Sequence, residues 1–131
     1  MGKNKPKKCI TVGEAKEMQQ VWCDTRAKDI DKCMKFQDTR EFYYTVEELE
    51  EYLDYVKRES LKQNIKDPGI RIYFGAYPQK QCKHNHGYAT IFLAPTGSPA
   101  KSLGKGGDDA ENNYDIDPLN GAGSGNPPHI Y

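Results

Sequence analysis

Two stretches set the limits on what this chain can build. Ile70-Arg71-Ile72-Tyr73-Phe74-Gly75-Ala76-Tyr77 alternates without a break, and Tyr88-Ala89-Thr90-Ile91-Phe92-Leu93-Ala94 answers it after the loop from Pro78 to Gly87. Side chains along a strand point to opposite faces in turn, so Ile70, Ile72, Phe74 and Ala76 share one side. Arg71, Tyr73, Gly75 and Tyr77 share the other. The second run divides in the same way, with Ala89, Ile91 and Leu93 set against Tyr88, Thr90 and Phe92. Pro78 and Pro95 close the two runs, which are expected to pair as a hairpin. A lone hairpin is marginal in water, so other elements must cover it.

Two helices are available for that task. Thr11 with Glu14 and Thr45 with Glu48 are Thr-x-x-Glu capping boxes. In each, the hydroxyl accepts a helix amide and the carboxylate reaches back to the cap. The first helix should run from about Val12 to Cys33 or Phe36. Ala15, Met18, Trp22, Ile30 and Cys33 form its apolar stripe, which is broken near Arg26. The second should span about Val46 to Gln63. Val46, Leu49, Leu53 and Val56 line one face, acids crowd its first half, and Lys57, Arg58 and Lys62 lie in its second half, which suits the helix dipole. Between them, Glu41-Phe42-Tyr43-Tyr44 has strand chemistry. The expected fold class is α+β: two amphipathic helices on one face of a small three-stranded, mainly antiparallel sheet, with a Gly/Pro-rich C-terminal tail.

Composition bounds the core and the partners. Leu, Ile, Val and Phe number 22 of 131 residues. So low a share goes with disorder when net charge is high. Here 19 basic and 19 acidic residues cancel, which points to an ordered core region with a polar remainder. The divisions expected are a basic flexible arm over 1–10, an α+β domain over 11–95, a mobile loop over 96–113 and an extended tail over 114–131. In that tail Tyr114, Ile116, Leu119, Ile130 and Tyr131 are apolar points able to pin it to the domain. No apolar run approaches the roughly 18 residues of a membrane span. Zero net charge and a pI of 6.8 argue against duplex nucleic acid held by bulk charge, and the sheet sequence does not match an RNA-binding signature. No secretory signal follows the basic start, and Pro6 stands where a myristoylation site carries Ser or Thr. The expectation is a cytoplasmic protein whose cysteines are free thiols.

The helices should bury the more aliphatic side of the sheet, placing Ile70, Ile72, Phe74, Ala89, Ile91 and Leu93 inward. The opposite side then carries Arg71, Tyr73, Tyr77, Tyr88, Thr90 and Phe92. Bare, that aromatic face would exceed what monomers usually expose, so a lid is expected: the tail, a protein partner or a second copy of the chain. A separate candidate is Cys82-Lys83-His84-Asn85-His86. In an extended segment Cys82, His84 and His86 fall on one side, and thiolate with imidazole suits Zn²⁺. The spacing matches no established zinc pattern, and the fourth ligand is unassigned. No catalytic constellation is legible: there is no Walker loop and no calcium loop, and Cys82 with His84, two residues apart, has no third residue to orient it as a Cys-His nucleophile.

The segments Val46 to Val56, Gly69 to Pro78 and Thr90 to Thr96 together resemble a family of small, uncharacterised bacterial proteins of the Bacteroidota type. The likeness covers residues 11–96 and the Pro-Leu-Asn and Pro-Pro near the end. It implies a bacterial cytoplasmic α+β protein and carries no activity, cofactor or catalytic residue with it. The reading is a non-enzymatic binding or accessory protein that meets a protein partner on the aromatic sheet face, with no cofactor. Two alternatives stand beside it: a zinc-binding protein built on Cys82, His84 and His86, and a small-molecule enzyme of unknown class.

Overall fold

The computed structural model describes residues 4–78, 87–97, 110–125 and 128–131. Both capping boxes start helices. Thr11 Oγ1 accepts from the Glu14 amide at 3.0 Å, and the Glu14 carboxylate accepts from the Thr11 amide at 2.9 Å. Thr45 and Glu48 repeat the exchange at 3.0 and 2.9 Å. Amides that a helix start leaves without partners are thereby satisfied.

The first rod is continuous but not uniform. α1 (Val12–Trp22) passes through a π-turn at Cys23–Ala27 into α2 (Lys28–Met34). The wider turn falls where the apolar stripe breaks, near Arg26. There Thr25 Oγ1 donates back to the Val21 carbonyl at 2.6 Å. The turn resets the helix face, so Trp22 and Ile30 line the same cleft. The rod ends at Lys35, which takes the left-handed conformation at φ 67.

α3 (Val46–Lys62) ends in a Schellman arrangement. The Ile65 amide donates to the Ser60 carbonyl at 2.9 Å and the Asn64 amide to the Leu61 carbonyl at 3.1 Å. Asn64 supplies the positive φ of 62, and Ile65 is buried just beyond it.

β2 (Gly69–Ala76) and β3 (Ala89–Thr96) pair antiparallel from Gly69↔Thr96 to Ala76↔Ala89. The chain is therefore α+β, with two separate antiparallel sheets of two strands each among the described residues. Among the described residues the expected three-stranded sheet is not seen. β1 (Phe42–Tyr43) pairs with β4 (Gly123–Ser124) and not with the hairpin. The outer edge of β3 is met by the C-terminal segment. Leu93 and Leu119 exchange both backbone hydrogen bonds at 2.8 Å, and the Asn113 amide donates to the Pro95 carbonyl at 2.9 Å.

Pro95 accounts for the break in that edge. Its nitrogen lies on the same side of the strand as the Leu93 amide, two residues away, and has no hydrogen to give. A regular third strand would lose a rung there. The segment instead leaves the edge after Asn113 and returns at Leu119. That excursion places Ile116, 1% exposed, in the core beside Tyr52, Val56 and Leu93.

The aliphatic side of the sheet is only half covered. Ile70, Ile91 and Leu93 pack with the core cluster, but Ile72 and Phe74 are 64% and 79% exposed. The expectation that both point into a helix-covered core is thus corrected. The physical reason is width. One helix about 10 Å across spans about two strand spacings. Tyr52 and Val56 of α3 pack with Leu93 of β3 and with Ile116 and Leu119 of the C-terminal segment and reach only Ile70 of β2, which leaves Ile72 and Phe74 outside that cover. From the first rod, Trp22 reaches over to Phe74, with ring centroids 6.2 Å apart.

Candidate functional site: an aromatic sheet face framed by the C-terminal segment

The site is assembled from three pieces of chain. β2 and β3 supply the floor, and residues 110–120 supply one wall. α3 holds that wall in place. Tyr52 Oη donates to the Asp117 carbonyl at 2.8 Å and lies 3.3 Å from the Leu93 carbonyl. Asn113 Nδ2 donates to Gln63 Oε1 at 2.9 Å, and Tyr44 Oη donates to the Asn120 carbonyl at 3.2 Å. Burial pushes the Tyr52 phenol up to about 12, helped by Tyr55, the Asp117 carboxylate and Tyr44. Burial also raises the Tyr44 phenol, with Tyr77 and Glu48 adding to the shift.

Two asparagines reach from the wall onto the floor, one at each end. Asn112 accepts from Arg71 Nη1 at 2.7 Å and donates from Nδ2 to Tyr73 Oη at 2.7 Å. Arg71 Nη2 also donates to the Ala110 carbonyl at 2.9 Å. At the far end Asn120 donates to the Ile91 carbonyl at 2.8 Å and accepts from Tyr77 Oη at 3.0 Å. Thr90 Oγ1 lies 3.3 Å from both the Asn120 amide nitrogen and Tyr77 Oη. Between the two clamps the rings of Tyr73 and Phe92 stack at 5.2 Å and 17°. Beside them a cleft of about 320 Å³ opens against Pro95, Tyr114, Ile116 and Pro118.

Of the residues singled out in the sequence, Arg71, Tyr73, Tyr77, Thr90 and Phe92 come together on this face. Tyr88 is drawn away: its ring packs edge-on against Phe36 at 4.9 Å. Among the apolar points of the C-terminal segment, Ile116 and Leu119 join the core, while Tyr114, Ile130 and Tyr131 are exposed. Asn112 and Asn120 were not anticipated. A single asparagine in a polar segment carries no periodicity, and their partners lie roughly thirty to forty residues away in the chain.

Cys82, His84 and His86 lie outside the described residues. Among the described residues no group of three His, Cys, Asp or Glu side chains is placed to hold a metal ion. No helix there is long and apolar enough to cross a membrane. Compared with known proteins, the chain matches no family model, no curated protein and no solved structure.

Proposed function

We propose that this chain is a non-enzymatic binding or accessory protein that takes a segment of a protein partner over the Tyr73–Phe92 stack. One observation carries the reading: the C-terminal segment clamps the aromatic face at both ends and leaves its apolar middle half-open above a cleft. A lid whose only task was to hide the face would fill that middle with Tyr114, which is instead 90% exposed at its rim. An apolar centre bordered by amide, hydroxyl and guanidinium groups is the anatomy of a protein interface. The bacterial, cytoplasmic setting implied by the sequence resemblance puts the test in reducing buffer.

The experiment is affinity capture from the native host with wild type and Phe92→Ala in parallel, each checked first for a cooperative melt. A partner retained by wild type and lost by the folded variant supports the reading. Equal capture by both refutes it. Sedimentation at rising concentration reads the remaining case, in which the partner is a second copy of the chain.

A further inference from the structure

On the other side of the sheet lies a second cleft, of about 470 Å³. Trp22 and Ile30 from the first helical rod line it together with Phe42 and Phe74, and the Trp22 and Phe74 rings stack on each other. Arg40, in the segment joining α2 to β1, also lines it. Its Nε is buried and, among the described residues, has no hydrogen-bond partner. Among the described residues the guanidinium enters no ion pair. A buried donor left unsatisfied is costly, and more so when it is charged. The adjacent carboxylate does not answer it. Asp38 Oδ1 accepts from the Thr39 amide at 2.8 Å and the Ala89 amide at 2.9 Å, which ties this segment to the start of β3.

We infer that this cleft is a binding site for a small amphipathic carboxylate, its aromatic or branched apolar body against Trp22 and Phe74 and its carboxylate on Arg40. The chemistry follows from the lining. Apolar walls with a few convergent polar groups are the usual make-up of a small-ligand pocket, and of the two charged residues lining this one Asp38 is tied to the Thr39 and Ala89 amides while Arg40 is the cation. A planar guanidinium pairs with a carboxylate through two parallel hydrogen bonds. The aromatic rings favour a flat apolar body over a sugar or a phosphate ester. This site lies on the opposite face from the proposed partner surface and stands apart from it.

Trp22 is the chain's only tryptophan and forms part of the wall, so its fluorescence reports directly on occupancy. The test titrates the full chain with 3-phenylpropionate and with its uncharged amide. The acid should change Trp22 emission saturably with a Kd of about 0.1–1 mM. The amide should bind at least about 10-fold more weakly, because it cannot make the charge-assisted pair. Arg40→Met should abolish the difference between acid and amide, and Arg40→Lys should restore part of it. Equal binding of acid and amide to wild type overturns the proposal, and that comparison needs no variant to fold. So does the absence of any saturable change up to about 10 mM acid.

Discussion

Replacing Tyr52 with phenylalanine removes one hydroxyl and leaves the ring in the core. The hydroxyl lies 2.8 Å from the Asp117 carbonyl and 3.3 Å from that of Leu93. The Leu93 carbonyl keeps the Leu119 amide at 2.8 Å, so one hydrogen bond is lost in net terms. At neutral pH the variant should be less stable by about 1 kcal/mol. In alkali the order changes. The folded-state phenol is pushed up to about 12, above an ordinary value of 10.0. The stability this group supplies is therefore complete below pH 10 and is lost as pH rises toward 12. For a single group with those two values the loss by about pH 11 is about 1 kcal/mol. The gap between wild type and variant should close near that pH. Tyr44, whose phenol is also raised, titrates in both proteins, so the variant should still lose some stability. Urea unfolding at neutral pH and at about pH 11, followed by far-UV circular dichroism, measures the gap. Parallel loss in the two proteins, with the neutral-pH difference preserved, would refute the assignment of Tyr52 as the buried link between α3 and the C-terminal segment.

Other substitutions read separate parts of the structure. Ile116→Ala should lower stability by about 2–5 kcal/mol in the same assay, since Ile116 is fully buried among Tyr52, Val56 and Leu93. A cost below about 0.5 kcal/mol would mean that the excursion is not part of the core. Gly97→Ala should cost about 1–3 kcal/mol, because φ is +133 and the added Cβ would stand 2.6 Å from Ile65 Cγ2. Thr45→Ala should cost about 1 kcal/mol through loss of the α3 cap, visible as a lower urea midpoint at unchanged slope. Protein purified without a tag or added metal should carry under about 0.1 zinc per chain by elemental analysis, and about one equivalent would transfer the function to Cys82, His84 and His86.

Local rules made part of the fold legible. The two capping boxes, the alternation of β2 against β3 and the break in the apolar stripe of the first helix each depend on residues close in sequence. What stayed hidden was set by distant pairing. Phe42 and Tyr43 carry strand chemistry but nothing that names Gly123 and Ser124 as their partners. Pro95 read as the end of a strand. In the structure the strand runs through it to Thr96, and the missing amide shapes the neighbouring segment instead. The period of two divided the sheet residues correctly into faces, but it could not say how wide the helix cover is. Ile72 and Phe74 were therefore assigned to a core that reaches only Ile70, Ile91 and Leu93. The aromatic face was found because five of its six residues lie on adjacent rungs. Its frame, Asn112 and Asn120, and the guanidinium of Arg40 carry no pattern in sequence and become visible only through what they touch or fail to touch.

The most direct measurement installs a photo-crosslinking p-benzoyl-phenylalanine in place of Tyr114, at the rim of the aromatic cleft, and separately in place of Leu61, an exposed position on α3. Irradiation in the native host should give one predominant protein adduct from position 114 that is absent from position 61 and is lost when Phe92→Ala is added. The same adducts from both positions, or none from position 114, would contradict a docking role for this face.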